Sequence, residues 1–455
     1  MKLGDLGIIG MSLMGTNLSL NFEDNGYCVS LFNRTYSKTE KFFKKNKNRN
    51  FIPCKSIKDL VLSLKKPRII FIIIKSGKPV DEVIKNVVIY LSSEDIVIDC
   101  GNSFYLDSIR RYKELKSIKL KFAEIGISGG EKGARNGACI MFGGNKKIYK
   151  EIYPYLKSIS ASFNKERCLE IVGPNGSGHY LKMVHNGIEY GNMQSIADVY
   201  ILLKQLLKLN NKQISDVFFN WNKGKLNSYL IEITSKIFLI KYKKSYLIDN
   251  ILDIAEDNYS CRWFCKNSID LCSTSNIIIE SLISRFISIS KNNRIYFSKL
   301  FKKNENYKKY DLNLINNIKK SLFFVNVITL LQGFEQLNKM YVKKKWNIDM
   351  VKISKIFRSG CIIKSNLINK ISNIYKKNNK LKNLLFDKYI QKIVSKYEKD
   401  LRKVVLVSVK AGIYVPSFSS ALSYFDSIRS KFLPLNLIQA QRYFFGKHKY
   451  VLYKK

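Results

Sequence analysis

Lys182, His185, Asn186 and Glu189 fall at i, i+3, i+4 and i+7 in one short stretch. Wound as a helix, that spacing puts an amine, an imidazole, an amide and a carboxyl on one narrow stripe. Turned inward, that stripe would show a pocket a base, an imidazole, an amide and an acid, the residue types of proton-transfer chemistry. The rest of the circumference is Tyr180, Leu181, Met183, Val184 and Ile188, and the chain runs on through the apolar stretch 195–203. A helix this apolar is predicted to lie in a core, where every face would normally be greasy. The competing reading is a solvated face, the usual fate of charged residues. Two features favour a pocket. Two of the three histidines, His179 and His185, sit here, and glycines at 176, 178, 187 and 191 thin the helix. Such thinning is costly unless a ligand or a neighbouring backbone comes close.

The elements that would position this stripe come first in the chain. A short apolar strand at 6–9 runs into Gly10-Met11-Ser12-Leu13-Met14-Gly15 and then a helical run from Asn17. This is close to the Gly-x-Gly-x-x-Gly dinucleotide fingerprint: small residues let the backbone approach a pyrophosphate, whose charge the helix N-terminus favours. A second strand, 27–32, ends in Asn33-Arg34-Thr35. A carboxylate there would hold the ribose hydroxyls of NAD, whereas Arg34 can bind a 2′-phosphate, so NADP is the expected cofactor. Further strands at 68–74, 96–99, 122–127 and 139–142 alternate with helix-length polar stretches. They predict an α/β domain over 1–175, a doubly wound parallel sheet covered on both faces. Its loops would read Lys75-Ser76-Gly77, Cys100-Gly101-Asn102-Ser103 and Ser128-Gly129-Gly130-Glu131. The Ser-Gly-Gly turn offers backbone N–H groups and a hydroxyl to an anionic or polyhydroxylated ligand.

Beyond it helical periodicities dominate, near 196–209, 212–220, 226–242, 277–290, 311–341, 348–373 and 389–412. Lys/Asn-rich pieces near 291–310 and 374–384 read as surface turns or loops. This predicts a large all-helical domain over 176–432. The remaining tail, 433–455, is too polar and Gly-broken to pack as one more core helix.

A chain of 455 residues has room for two or three domains. Its formal charge of +44, from 79 Lys+Arg against 35 Asp+Glu, is the anomaly. Lysine is spread along the whole chain with asparagine and isoleucine, so it reads as drift over solvated surfaces, with no specific nucleic-acid partner. Nine scattered cysteines point to a reducing cytoplasm. No uninterrupted apolar run is long enough to span a bilayer, so no membrane role is expected. Cys261, Cys265 and Cys272 have no histidine near them and irregular spacing, so no metal site is expected.

Several strings together carry a resemblance. Lys182-Met183-Val184-His185-Asn186-Gly187-Ile188-Glu189-Tyr190-Gly191 resembles the catalytic helix of the decarboxylating 6-phosphogluconate dehydrogenases. Gly129-Gly130-Glu131-x-Gly133-Ala134-Arg135, Arg358-x-Gly360-Cys361-Ile362-Ile363 and Ile438-Gln439-Ala440-Gln441-Arg442-x-x-Phe445-Gly446-x-His448 are similar to further motifs of that family, in the same order. The resemblance runs from about 6 to about 450 and is thinnest through 205–350. It implies an NADP-binding Rossmann-like domain, a large all-α domain, and a homodimer whose C-terminal tail reaches the partner's site. It implies Lys182 as general base and then acid, and Glu189 as general acid. It places Gly10, Ser12, Met14, Gly15, Asn33, Arg34, Thr35, Ile74, Lys75 and Asn102 at the cofactor. Asn102, Ser128, Gly129, Gly130, His185, Asn186, Tyr190, Asn258, Ser260 and Arg285 would contact substrate, with Arg442 and His448 arriving from the partner. There are two departures. Asn258 stands where the family has a phosphate-binding lysine, a loss of about 1.5–3 kcal/mol for a charged hydrogen bond. Arg262 is the cation expected to compensate if the loop shifts. The tail also ends soon after Tyr450. Two other readings stay open: a 3-hydroxy acid dehydrogenase of the same fold with an unphosphorylated substrate, and a weakened protein kept for polyanion binding.

Overall fold

The computed structural model describes residues 2–301 and 311–452. One eight-stranded sheet organises the first part of the chain. Its strands are β1 (Leu6–Ile9), β2 (Val29–Phe32), β3 (Phe51–Pro53), β4 (Ile69–Ile72), β5 (Ile96–Asp99), β6 (Lys121–Ser128) and β7 (Cys139–Gly143). After a small hairpin, β8 (Ser162–Phe163) and β9 (Glu166–Arg167), comes the last sheet strand, β10 (Leu169–Gly173). The order is β10-β7-β6-β5-β4-β1-β2-β3. β1, β4 and β5 are buried at every residue, as strands covered on both faces must be. The order reverses beside β1, which opens a crevice at the strands' C-terminal ends.

The sheet differs from the all-parallel expectation at one place. β7 runs antiparallel to β6. Between them lies only 129–138, with one seven-residue helix at the strand end. A parallel return would need a crossover of a dozen or more residues over the sheet face. The edge strands β3 and β10 were not expected: one is three residues ending in proline, and the other is half exposed and interrupted by Glu170.

The site helix, Ser177–Ile201, starts four residues after β10 and passes from the sheet into the helical core. It packs along a 31-residue helix, Leu314–Lys344, which also packs on Lys388–Lys410. A Cβ at Gly333 would lie 2.4 Å from Ile188 Cγ1, so glycine lets the two long helices close up. The predicted helix 196–209 is continuous with the site helix, through a π turn at Leu202–Leu206. The single helix expected at 348–373 is two, Met350–Ile356 and Asn366–Lys377. Between them Gly360 takes φ +66°, and its carbonyl accepts a hydrogen bond from Cys139 N on β7. Lys291–Leu300 is a helix where turns were expected, and 302–310 lie outside the described residues. Two further helices were not anticipated, Ser260–Asp270 and Pro416–Ile428. The first helix begins at Leu13, ahead of the expected Asn17. Leu314–Lys344 is long and apolar enough to cross a bilayer by length and composition, but it is mostly buried inside the protein. The tail forms a helix, Leu435–Gly446, without a single buried residue.

Candidate active site

The site helix lies along β6 in register. Glu124, Gly126 and Ser128 alternate along the strand and so share one face. Glu124 Oε1 accepts hydrogen bonds from the N–H groups of Gly176 and Gly178. A Cβ at Gly126 would sit 2.6 Å from the Lys182 Cβ, and Ser128 bonds His185. The spacings match: four strand residues at about 3.3 Å and nine helical residues at about 1.5 Å both span about 13 Å. Of the two expected uses of the helix glycines, a ligand or a close neighbour, the structure shows close neighbours. Gly178 meets Met141 O and Gly143 N, Gly187 faces the Phe264 ring, and Gly191 faces Thr329.

The stripe is buried, not solvated: Lys182 is 9% exposed, His185 0% and Asn186 3%. Glu189, at the open end, is partly exposed. A chain of hydrogen bonds orders them. The Ser128 hydroxyl donates to His185 Nε2 (2.9 Å), and Nδ1–H donates to Asn186 Oδ1 (3.1 Å). The Asn186 amide donates to Ser260 Oγ (2.9 Å), whose O–H donates to Asn258 Oδ1 (2.5 Å). That sequence of donors fixes the imidazole as the neutral Nδ1–H tautomer. Burial, then the nearby Lys182 charge, hold the His185 pKa well below its usual value, in keeping with that tautomer.

Lys182 and Glu189 are shifted in opposite senses. Burial lowers the pKa of the Lys182 amine, against the opposing pull of Glu189. Burial raises the Glu189 carboxyl, against the attraction of Lys182 and Arg285. Both shifts favour the neutral forms, an amine that can accept a proton beside an acid that can donate one. Among the described residues nothing accepts a hydrogen bond from the Lys182 amine, while Glu189 Oε2 lies 3.7 Å from His185 Nδ1.

The β1 turn has the shape a dinucleotide needs. A Cβ at Gly10 would meet Ile73 O at 2.3 Å, and one at Gly15 would meet Gly10 O at 1.9 Å. Only glycine fits either position. Ser12 caps the first helix through Gly15 N, and Asn33 Oδ1 accepts from Met11 N. Exposed Arg34 and Thr35 follow at the end of β2, and exposed Lys75 and Asn102 stand on the loops after β4 and β5, Met14 and Ile74 being half-buried between. The bare backbone and cation fit a phosphorylated dinucleotide. Among the described residues no group of three or more His, Cys, Asp or Glu side chains is placed to hold a metal ion.

Sequence models of the NAD-binding domain and of the C-terminal domain of 6-phosphogluconate dehydrogenase match residues 5–173 and 178–455. The chain belongs to the decarboxylating 6-phosphogluconate dehydrogenase family. A relative of that name from Buchnera aphidicola subsp. Acyrthosiphon pisum is 48% identical, covering 98% of this chain and 96% of its own. The Bacillus subtilis relative, named as the NADP(+)-dependent decarboxylating enzyme, is 43% identical over the same shares. The solved Plasmodium falciparum 6-phosphogluconate dehydrogenase, described in apo form and in complex with NADP+ and with its substrate, superposes with a TM-score of 0.95 at 38% identity, covering 99% of this chain and 98% of that one.

Within this family frame the structure gathers one group of the expected substrate residues and leaves another outside. Tyr190 OH accepts from Asn258 N (3.2 Å), and the Arg285 guanidinium stacks 3.6 Å from the Tyr190 ring centroid. Asn258, in the phosphate-lysine position, is exposed; its side-chain oxygen is occupied by Ser260. Arg262, the cation expected to compensate if the loop shifts, is engaged elsewhere. Its guanidinium is bidentate to Asp257 (2.8 Å twice) and sandwiched between Tyr259 and Phe286. Gly129 and Gly130 lie under the Gly360 loop, where a Cβ at Gly129 would meet Gly360 O at 2.5 Å. Arg442 and His448 stay outside this chain's site: among the described residues the Arg442 guanidinium bonds Gln439 on the exposed tail helix, and His448 packs on Phe445.

The sequence reading missed the brace behind the cofactor loops. Arg111, fully buried, joins Asp99 Oδ2 (2.9 Å), Asp81 Oδ1 (2.7 Å) and Gly77 O (3.1 Å). Asp99 also accepts from Ser103 Oγ and Gly101 N, which fixes the loop bearing Asn102. The available signal was an aspartate closing the apolar strand 96–99. Nothing in the sequence pairs it with Arg111.

Proposed function

We propose that this chain oxidises and decarboxylates 6-phosphogluconate to ribulose 5-phosphate and CO2 with NADP, in the pentose phosphate pathway. The observation that carries the reading is the pairing of Lys182 and Glu189 on one buried stripe, each shifted toward the neutral form its role needs. NADP, when bound at Gly10–Gly15, Arg34 and Lys75, supplies the acceptor for the C3 hydride. Neutral Lys182 takes the proton from the C3 hydroxyl. The same ammonium then returns a proton to the ketone oxygen, which lets the β-keto acid lose CO2. Glu189 protonates C1 of the enediol while the now neutral Lys182 takes back the hydroxyl proton, which leaves the ketone of ribulose 5-phosphate. Ser128, His185 and Asn186 orient the sugar-acid chain through fixed donors and acceptors, while Tyr190, Ser260 and Arg285 attend its phosphate end. Desolvation at this stripe keeps each proton transfer within the pair.

The same reading divides the chain at 1–175, 176–432 and 433–455 and makes it a homodimer. Its tail helix exposes Leu435, Leu437, Phe444 and Phe445 to solvent in the single chain, and a second copy covering them would bring Arg442 and His448 to a site. All nine cysteines are free and all but Cys272 are buried, which suits the reducing cytoplasm. The positive charge needs no nucleic-acid partner on this account. The test compares 6-phosphogluconate with gluconate under NADP. One CO2 per NADPH from the phosphorylated acid, and little from gluconate, is expected. Equal turnover of gluconate would favour the 3-hydroxy acid dehydrogenase reading, and salt-sensitive DNA retention without NADPH the polyanion reading.

A further inference from the structure

The site helix cannot cap itself. Its N-cap is Gly176, at φ +95°, with no side-chain cap bond and no acid in the first turn. The first N–H groups of a helix need partners, and here the sheet supplies them. Glu124 is fully buried in the middle of β6, and its Oε1 accepts from Gly176 N (2.6 Å) and Gly178 N (3.3 Å). Its Oε2 accepts from Asn175 Nδ2 (3.2 Å). The carboxyl fills the space over Gly143, where a Cβ would come 1.9 Å from Oε1. Immediately beyond, helix and sheet backbones touch at Gly178, and the next helical turn brings Lys182 down onto Gly126.

We propose that Glu124 is a positioning residue for the reaction. Its carboxyl fastens the first turn of the site helix to β6 and so sets where the Lys182 amine stands over the substrate. Six residues separate Gly176 from Lys182, about 9 Å of rigid helix, so a shift at the cap is carried to the amine with little loss. Burial pushes the Glu124 carboxyl up to about 8, and Asp99, its register partner on β5, pushes the same way. Glutamine keeps the side-chain length and the oxygen that accepts from both N–H groups. Aspartate, one methylene shorter, must either release the two N–H groups or draw the helix inward.

The proposal rests on the reading of the chain as a 6-phosphogluconate dehydrogenase, and the experiment separates the two. Wild type, Glu124→Gln and Glu124→Asp are compared for NADP affinity by fluorescence titration and for kcat and KM with 6-phosphogluconate. The expectation is unchanged NADP affinity in all three and kcat largely retained by Glu124→Gln. In Glu124→Asp, kcat falls about tenfold or more with KM little changed, the mark of a misplaced reacting group. Wild-type kcat in Glu124→Asp overturns the proposal. So does an equal fall in Glu124→Gln, or loss of NADP binding along with activity in Glu124→Asp, since Glu124 would then serve the fold alone. A wild-type protein that makes no NADPH from 6-phosphogluconate overturns the functional reading, and the positioning role with it.

Discussion

Gly126→Ala puts one methyl between β6 and the site helix. That methyl would lie 2.6 Å from the Lys182 Cβ and 2.9 Å from Gly178 O, with the Lys182 Cγ at 3.4 Å. Comfortable carbon–carbon contact is about 3.5–4.0 Å, so the helix must back away by about 1 Å. It cannot do so alone, because Gly178 is already against Met141 O and the far side packs on Leu314–Lys344. Overpacking of this kind costs about 1–3 kcal/mol of stability. The larger effect falls on catalysis: an amine displaced by about 1 Å from its reacting hydroxyl loses on the order of 10²-fold in rate. NADP binding should be spared, since Gly10, Gly15 and Arg34 sit at the far side of β1. The assay is kcat and KM from NADPH fluorescence, beside an equilibrium titration with NADP. A kcat within about threefold of wild type, with the variant folded, would refute the claim that close helix–strand contact places Lys182.

Four further outcomes are expected. In the proposed roles Lys182 acts deprotonated and Glu189 protonated, so kcat/KM should fall at low pH as the amine charges and at high pH as the carboxyl ionises. Glu189→Gln should lose about 10²–10⁴ in kcat and erase the alkaline limb of that profile; an intact alkaline limb would assign it elsewhere. Arg34→Glu should lower kcat/KM for NADP by about 10–10²-fold, through lost charged hydrogen bonds to the 2′-phosphate, and leave NAD turnover unchanged or raise it, since a carboxylate there can hold the ribose hydroxyls. An equal fall with both cofactors would remove Arg34 from that role. Asn258→Lys should lower KM for 6-phosphogluconate by about tenfold or more, because it returns a cation to the phosphate end. A raised KM would mean that the Ser260–Asn258 bond matters more than the missing charge.

Local patterns were legible in the sequence because one element carried them whole. The 3.6-residue spacing of Lys182, His185, Asn186 and Glu189 needed only a helix, and apolar runs such as 69–72 and 96–99 needed only a covered sheet. Pairings between distant elements were not legible. The bond of Ser128 to His185, the brace of Arg111 on Asp99 and the cap of Glu124 on Gly176 join residues between 12 and 57 positions apart. A carboxylate in the apolar strand 122–127 was visible, yet its partner was not, because the helix that meets it starts on the other side of β7 and β10. The antiparallel β7 was hidden for a similar reason: strand direction depends on how the ten residues after Ser128 turn back, not on the strand's own composition. The helix break at Gly360 likewise depends on β7, whose Cys139 N–H binds the glycine carbonyl.

The most direct measurement removes the amine alone. Lys182→Met keeps length and apolar bulk on the same buried face, so the helix should stay on β6 and NADP should bind as before. With 6-phosphogluconate and NADP, wild type should release NADPH and CO2 in equal amounts, and the variant essentially neither. NADPH and CO2 formed by Lys182→Met at the wild-type rate would contradict the account.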